Sequence, residues 1–279
     1  MTAPLPLTDV GRQRRLSRLT GSHDDRLFIV PLDHSVSTGP IAAAGALESM
    51  LRLLADGGID GVILHKGRVR FVEPSVWRRV GLIVHLNGST MHAPDTDDKV
   101  LVGEVEDALR IGADGVSVHV NLGSRSEARQ LADLGAVAGA CMRWSLPLVA
   151  MVYPRGPRVS EPTDPQLVAH AANLAADLGA DVVKVPYTGD VETMADVAAL
   201  CPIPIIAAGG APVNDEEELF TVVRDVMSAG ASGVAIGRNV FGAQDVARTV
   251  RRIADIVHPR GGAAGYLRAR DERDVVGVS

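Results

Sequence analysis

The chain of 279 residues carries a formal net charge of −6, and 46% of its residues are hydrophobic. It has no basic block of the kind that binds nucleic acid and no apolar run of the roughly 18 residues that span a membrane, so we expect neither partner. The first residues lack the charged and then apolar pattern of a secretion signal, which predicts a cytoplasmic protein. The length allows two domains or one large α/β barrel.

Residues 1–7 contain two prolines and no periodic pattern, which predicts a tail. Thr8 is a candidate N-cap for an extra, arginine-rich helix that ends at Leu19. Short apolar runs then recur through the chain, and runs of this length that end in turns are typical of buried strands. Eight strands are predicted: Leu27–Asp33, Gly61–Lys66, Leu82–Asn87, Gly115–Asn121, Leu146–Pro154, Asp181–Tyr187, Ile203–Gly210 and Gly233–Val240.

Alanine- and leucine-rich stretches with helical spacing lie between most of these runs. Two of the connections between strands have a weaker helical pattern, because Val69–Val80 contains a proline and Val191–Leu200 is short. Several stretches end in a glycine, which commonly stops a helix in the left-handed conformation. The clearer helices are predicted over Ala42–Ala55, Lys99–Ile111, Ser126–Arg143, Asp164–Leu178, Asp215–Ala229 and Ala243–Val257.

The repeated pairing of a strand with a helix decides the fold class. Eight such units, with strands that are apolar on both faces, predict a closed parallel (β/α)8 barrel, the TIM barrel. An open doubly wound sheet is the alternative. No linker divides the chain, so we expect a single domain over residues 1–279, with tails at 1–7 and about 261–279.

The sixth predicted strand carries a lysine near its downstream end. Only three of the 28 basic residues are lysines: Lys66, Lys99 and Lys184. Burying an ammonium group is costly, so packing gives no reason for Lys184 to stand in an apolar run. Unlike arginine, lysine can lose its proton and attack a carbonyl carbon. We therefore predict that Lys184 is a nucleophile; a lysine that merely reaches solvent from a strand end is the alternative.

Polar side chains follow the other predicted strands. The carboxyl ends of TIM-barrel strands form the active site, so these side chains are expected to meet at one mouth. Each one alone is also explained as a hydrogen-bonded structural residue or, for an aspartate, as a helix cap. The candidates at the mouth are Asp33, His34, His65, His85, Asn87, His119, Asn121, Tyr153 and Arg155.

The seventh and eighth strands end in glycine instead. Gly209 and Gly210 follow the seventh strand, and Gly237 and Arg238 follow the eighth. The loops after these two strands commonly hold a phosphate group in TIM barrels. Glycines let backbone N–H groups approach the anion, and an arginine can pair with it. The pattern predicts a phosphate site, with two tight turns as the alternative.

A phosphorylated ketone fits this set of residues. With its phosphate at the glycine loops, its carbonyl carbon would reach Lys184 and form a Schiff base, which allows a neighbouring carbon–carbon bond to form or break. Tyr153 and Asp33 are the candidates for the proton transfers that this chemistry requires. The histidines lie on separate strands without a carboxylate cluster, so we expect no metal and no other cofactor.

Six segments together resemble the class I aldolases of the archaeal fructose-bisphosphate aldolase type. The resemblance covers most of residues 27–258 and implies a Schiff base on Lys184, proton donation by Tyr153, an acid/base role for Asp33 and phosphate binding by both glycine loops. It also implies a homo-oligomer. The segments are Pro31–Pro40, Ser117–Ser124, Ala150–Gly156, Val183–Asp190, Ala208–Gly210 and Ala235–Phe241.

Within this family the motifs are most similar to a heptulosonate-forming branch that uses aspartate semialdehyde. The resemblance implies one of two reactions with the semialdehyde: transfer of a three-carbon unit, or condensation with dihydroxyacetone phosphate in the secondary metabolism of actinomycete relatives. The preference for arginine over lysine and the abundant alanine indicate a GC-rich genome, which favours the condensation of dihydroxyacetone phosphate with L-aspartate 4-semialdehyde. The alternatives are a transaldolase with a deoxy-ketohexose phosphate as donor, a fructose-bisphosphate aldolase, and a phosphometabolite-binding protein without turnover.

Two positions depart from the family pattern. Met151 stands where hexose-phosphate aldolases are expected to have a tryptophan, which disfavours fructose bisphosphate. Ser35 replaces the usual glycine after His34, which leaves the geometry of the loop beside Asp33 open. The residues that recognise the semialdehyde are also left open, with His119, Asn121, Arg155 and Asn87 as candidates.

Overall fold

The computed structural model describes residues 9–20, 25–43, 45–213 and 215–259. Eight parallel strands close into a barrel, while a pair of two-residue strands forms a separate antiparallel sheet. The predicted TIM barrel is confirmed, and the alternative prediction of an open doubly wound sheet is wrong. The predicted tails, 1–7 and 261–279, lie outside the described residues. The strands in these residues are β1 (Leu27–Pro31), β2 (Gly61–His65), β3 (Gly81–His85), β4 (Asn87–Gly88), β5 (Val100–Leu101), β6 (Gly115–Leu122), β7 (Leu148–Pro154), β8 (Val182–Val185), β9 (Ile205–Ala208) and β10 (Gly233–Ala235).

Around the barrel the strands follow the order β1, β10, β9, β8, β7, β6, β3, β2, with β2 next to β1. Helices lie between most consecutive barrel strands. No helix in the described ranges is long and apolar enough to cross a membrane. These ranges contain the helices α1 (Val10–Leu19), α2 (His34–Ser37), α3 (Ala46–Gly57), α4 (Lys66–Val69), α5 (Val105–Arg110), α6 (Glu127–Trp144), α7 (Pro165–Asp177), α8 (Val191–Leu200), α9 (Glu216–Ser228), α10 (Arg238–Phe241) and α11 (Val246–Val257).

Two connections are not single helices: the Val69–Val80 connection, whose helical pattern was the weaker one, and the connection predicted as a helix from Lys99. Between β2 and β3 the chain forms α4 and then a 3-10 helix, Pro74–Arg78, which has its proline in the first turn, where no N–H group is needed. Ahead of α5, β5 pairs with β4, so the helix does not begin at Lys99. The β-branched Val100 favours this extended conformation.

Side chains along the barrel strands alternate between two apolar layers. On β8, Val183 and Val185 pack against the surrounding helices, whereas Val182 packs inside the barrel with residues such as Ile29 and Ile206. Successive side chains of a strand point to opposite faces. Lys184 therefore lies on the inner face, as Val182 does.

The helix α1 closes the barrel at the amino ends of its strands. Its Leu19 is 2% exposed and packs against the glycines that begin β2, β3 and β6. A Cβ atom added to Gly61, Gly81 or Gly115 would lie 3.5, 2.6 or 3.3 Å from a δ carbon of Leu19. Glycine at these strand starts thus makes room for the leucine.

The start of α1 is fixed by a side-chain cap. Asp9 is the N-cap and accepts a hydrogen bond from the backbone N–H of Arg12. The predicted cap, Thr8, lies outside the described residues. The Arg12 guanidinium also pairs with the carboxylate of Asp181 at 3.0 Å, which ties the helix to the barrel.

Three aspartates fix the register of neighbouring strands. Asp60, Asp114 and Asp181 lie immediately before β2, β6 and β8, within the glycine-containing turns that end helices. Each carboxylate accepts a hydrogen bond from the first or second N–H of the adjacent strand, so strand alignment is specified by side chains as well as by the ladder. The donors are Phe28, Leu82 and Leu148, at 2.6, 3.0 and 2.8 Å.

Candidate active site

Lys184 lies near the carboxyl end of β8 and is 7% exposed. In the sheet register its neighbours are Met151 of β7 and Ile206 of β9, both of which belong to the inner apolar layer. Its Nζ atom lies 6.0 Å from the centroid of the Tyr153 ring. The amine therefore faces the barrel interior near the mouth, as a nucleophile for a substrate entering there must.

Tyr153 is partly buried near the end of β7, on the face that packs inside the barrel. Its ring centroid lies 4.9 Å from that of His119, on the adjacent strand β6. The Arg155 guanidinium lies 6.0 Å from the same ring. The Tyr153 ring therefore contacts His119 of β6 on one side and lies near Lys184 of β8 on the other.

Asp33 follows β1 and occupies the N-cap position of α2, but its side chain makes no capping hydrogen bond. Its two carboxylate oxygens lie 3.7 Å from His34 Nδ1 and 3.8 Å from His85 Nε2. The Asp33 Oδ1 atom is buried and has no hydrogen-bond partner among the described residues. The structural alternative of a helix cap therefore does not apply to this aspartate.

The charge state of Asp33 is set by its surroundings. Burial alone would raise its pKa, but the nearby His85, His34 and Lys184 lower the pKa below its ordinary value. Burial lowers the pKa of His34 and His65, and it lowers that of His85 to about 4. At neutral pH an ionised carboxylate therefore lies among neutral imidazoles, so Asp33 is in the form that can accept a proton.

His65 and His85 were placed at the mouth by the sequence analysis but were assigned no role. His85 is 4% exposed, its Nδ1 lies 2.8 Å from Ser117 Oγ, and its ring lies 5.3 Å from that of His65. Their positions at the ends of β2 and β3, on the inward face, were the available signal. The contact with Ser117, 32 residues along the chain, has no local sequence signature.

His119 and Asn121 belong to a hydrogen-bonded network that ties β6 to the segment after β3. His119 Nε2 lies 2.8 Å from Asn121 Oδ1, and the Asn121 amide donates to the Asp97 carbonyl at 2.9 Å. The Asn87 side chain exchanges two hydrogen bonds with the backbone of His119. Burial lowers the pKa of His119 well below its usual value. These polar groups are largely engaged within the protein, which favours a positioning role.

The two glycine loops lie side by side because β9 pairs with β10. The Arg238 side chain bridges them by donating to the Gly210 carbonyl at 2.8 Å. Gly210 has a φ of +67°, and a Cβ on Gly237 would lie 2.6 Å from the Pro31 carbonyl oxygen, so both positions favour glycine. Asn239, missed in the sequence, donates to the Gly209 carbonyl at 2.8 Å and fixes the same loops.

Lys99 is a further residue that the sequence analysis did not assign to the site. It is buried in the segment between β4 and β5, although a helix was predicted to begin there. Its rarity as one of three lysines was the signal that could have identified it.

The described residues contain no group of three His, Cys, Asp or Glu side chains arranged to hold a metal ion. The histidines of the mouth surround a single carboxylate, Asp33, and make hydrogen bonds or ring contacts with other residues. That the reaction needs no metal or cofactor stays a prediction.

Comparison with known proteins identifies the family. Residues 27–243 match the model of the DeoC/LacD aldolase family. The chain is 50% identical to the 2-amino-4,5-dihydroxy-6-oxo-7-(phosphonooxy)heptanoate synthase of Streptomyces griseus, over 95% of this chain and 96% of that protein. It is 41% identical to the 2-amino-3,7-dideoxy-D-threo-hept-6-ulosonate synthase of Halobacterium salinarum, over 90% and 93% of the two chains.

A solved structure supports the same assignment. An archaeal fructose-1,6-bisphosphate aldolase, with its catalytic lysine covalently bound to the carbinolamine intermediate of the substrate, matches with a TM-score of 0.80. The two sequences are 31% identical, and the match covers 88% of this chain and 99% of that one. The chain therefore belongs to the DeoC/LacD family of class I aldolases.

Proposed function

We propose that this aldolase condenses dihydroxyacetone phosphate with L-aspartate 4-semialdehyde to give a seven-carbon amino keto-phosphate. The observation that carries the proposal is the amine of Lys184, buried on the inner face of β8 and 6.0 Å from the Tyr153 ring. The choice of substrates is supported by 50% identity to the Streptomyces griseus synthase, whose name describes a phosphorylated seven-carbon amino keto acid.

In the proposed reaction the donor phosphate binds at Gly209, Gly210, Gly237 and Arg238. The Lys184 amine adds to the keto carbon, and the carbinolamine loses water to form an iminium ion. Loss of a proton from the neighbouring hydroxymethyl carbon gives an enamine, which attacks the aldehyde carbon of the semialdehyde. The new alkoxide takes up a proton, and water releases the product from the lysine.

Two groups serve the proton transfers. The proton that leaves the donor carbon is balanced by the one that reaches the new hydroxyl oxygen, so one acid and one base suffice. Tyr153, on the strand next to Lys184, is proposed as a proton donor. Asp33 approaches from β1 on another side of the mouth and, with its lowered pKa, is proposed as the acid/base partner.

A transaldolase that takes its three-carbon unit from a deoxy-ketohexose phosphate is the second candidate. It is supported by the 41% identity to the Halobacterium salinarum synthase. Both candidates are proposed to use the same lysine, and they differ in the donor and therefore in the product. Fructose-bisphosphate cleavage is the weaker candidate, because a tryptophan is expected two residues before the tyrosine in hexose-phosphate aldolases. This chain has Met151 at that position, and Met151 packs inside the barrel.

Product analysis separates these candidates. The enzyme is supplied with the semialdehyde and each donor in turn, and the product is identified by mass spectrometry and NMR. We expect the seven-carbon keto-phosphate from dihydroxyacetone phosphate, and we expect Lys184→Met to abolish it while Lys66→Met does not. Product from the deoxy-ketohexose phosphate alone would favour the transaldolase. Donor binding that survives Lys184→Ala, with no turnover in the parent, would favour a binding protein.

A further inference from the structure

The segment between β3 and α5 folds over one side of the mouth. Here β4 and β5 pair antiparallel, and the residues between them form a loop. The amides of Asn121 and Gln130 both donate to the Asp97 carbonyl, at 2.9 and 2.8 Å. Asn87 exchanges two hydrogen bonds with the His119 backbone. Groups of β6 and α6 therefore hold this loop in place.

This loop buries a cation. Lys99 is 9% exposed, and its Nζ donates to Ser89 Oγ at 2.6 Å and to the Thr96 carbonyl at 2.9 Å. Both partners are neutral, and an ammonium group has three donors. Burial and the nearby Arg155 lower the pKa of Lys99, while the carboxylates of Asp97, Asp33 and Asp95 act on it in the opposite direction. None of these carboxylates forms a direct ion pair with Lys99 among the described residues. Because a buried cation without a direct ion-pair partner is costly, the arrangement favours a bound anion.

The cation lies on the Tyr153 side of the mouth. Arg155 Nη1 is 3.8 Å from the carboxylate of Asp97, two residues before Lys99, and the same guanidinium is 6.0 Å from the Tyr153 ring. The charge of Lys99 adds to the effect of burial in lowering the pKa of His119, whose ring is 4.9 Å from that of Tyr153. Arg155 also lowers the pKa of Lys99, so the two cations lie near each other on this side of the mouth.

Strand order gives the direction of the substrate. The phosphate loops follow β9 and β10, Lys184 is on β8, Tyr153 is on β7, and the loop of Lys99 packs on β6. A donor anchored at the glycine loops thus presents its reacting carbon at β8. The acceptor has to approach from the opposite side, where Lys99 and Arg155 are.

We infer that Lys99 and Arg155 form a carboxylate-binding subsite that selects acceptor aldehydes carrying a carboxylate. The inference rests on the proposed aldol reaction. The third N–H of Lys99 and the planar guanidinium of Arg155, 3.8 Å from the Asp97 carboxylate, supply charge-assisted hydrogen bonds. Lys99 is then a specificity-determining residue, distinct from the lysine that forms the Schiff base.

The test compares two acceptors in one variant. Lys99→Met keeps much of the side-chain length and removes the charge; we expect kcat/KM for L-aspartate 4-semialdehyde to fall roughly 10- to 100-fold, mostly through KM. For butanal, which has no carboxylate, we expect a change of less than about 3-fold. Lys66→Met, which removes an exposed lysine paired with Asp107, is the matched control and is expected to leave both values unchanged.

Equal losses for both aldehydes, or no loss for either, would overturn the inference. Arg155→Gln provides a second variant because its side chain is more than half exposed and contributes little to folding; it is expected to show the same selective loss. Borohydride trapping of dihydroxyacetone phosphate on Lys184 separates the two claims. If the parent traps no donor, the proposed function fails. If the donor is trapped normally in Lys99→Met but both aldehydes react as they do with the parent, the carboxylate subsite is wrong and the proposed function stands.

Discussion

The contact between α1 and the barrel floor gives a prediction about stability. Leu19 is 2% exposed and packs on Gly61, Gly81 and Gly115, which have no side chains to move into a vacated space. Leucine-to-alanine changes in protein cores cost about 2–5 kcal/mol, and the cost is greatest where the surroundings cannot collapse. We therefore expect Leu19→Ala to lower the free energy of unfolding by about 3–4 kcal/mol.

Urea denaturation followed by circular dichroism measures this change. The matched control is Leu200→Ala, because Leu200 is 64% exposed at the end of α8 and its truncation is expected to cost less than about 0.5 kcal/mol. The kcat of Leu19→Ala should stay close to that of the parent, since Leu19 and Lys184 lie toward opposite ends of the barrel. A loss below about 1 kcal/mol in Leu19→Ala would refute the reasoning.

A double-mutant cycle sharpens the test. A Cβ on Gly81 would lie 2.6 Å from Leu19 Cδ2, so Gly81→Ala should destabilise the parent. In the Leu19→Ala background the added methyl group occupies part of the cavity, so the same change should cost at least about 1 kcal/mol less. If the two changes in the free energy of unfolding simply add, the contact between Leu19 and Gly81 is not what makes Gly81→Ala destabilising.

Three further predictions concern the mouth. His85 has a pKa of about 4 in the folded state, so as the pH falls below 6.5 the unfolded state takes up a proton on this residue before the folded state does. This difference should lower the free energy of unfolding by about 3 kcal/mol between pH 7 and pH 4. His85→Gln should make the free energy of unfolding less dependent on pH, and an unchanged dependence would contradict the reasoning. Arg238→Gln should raise KM for dihydroxyacetone phosphate roughly 10-fold and leave KM for the semialdehyde almost unchanged, as measured by steady-state kinetics. An unaltered KM for the donor would show that Arg238 does not bind the phosphate. Dialysis against EDTA should leave kcat unchanged, and a loss restored by zinc would overturn the prediction that no metal is needed.

The barrel was predictable because its signals are local. Apolar runs, helical spacing and glycine stops recur with each strand and helix, and each is visible within a few residues. Lys184 stood out because a lysine in a buried strand has no packing role. The paired strands ahead of α5 were not predicted, since two-residue strands leave almost no pattern.

What the sequence did not indicate depends on contacts between distant residues. The carboxylate of Asp60 bonds to Phe28, and Ser117 contacts His85, each 32 residues away. The Lys99 ammonium reaches the mouth only when the loop between β4 and β5 folds over it. Oligomeric state and cellular location, predicted as a cytoplasmic homo-oligomer, stay predictions; sedimentation velocity of the full chain would test the first.

The most direct test of the account is chemical trapping of the Schiff base. The enzyme is incubated with dihydroxyacetone phosphate, reduced with borohydride, digested and analysed by mass spectrometry. The account predicts one adduct, on the peptide that contains Lys184, and none in Lys184→Met. An adduct on Lys99 or Lys66 instead, or full activity in Lys184→Met, would contradict it.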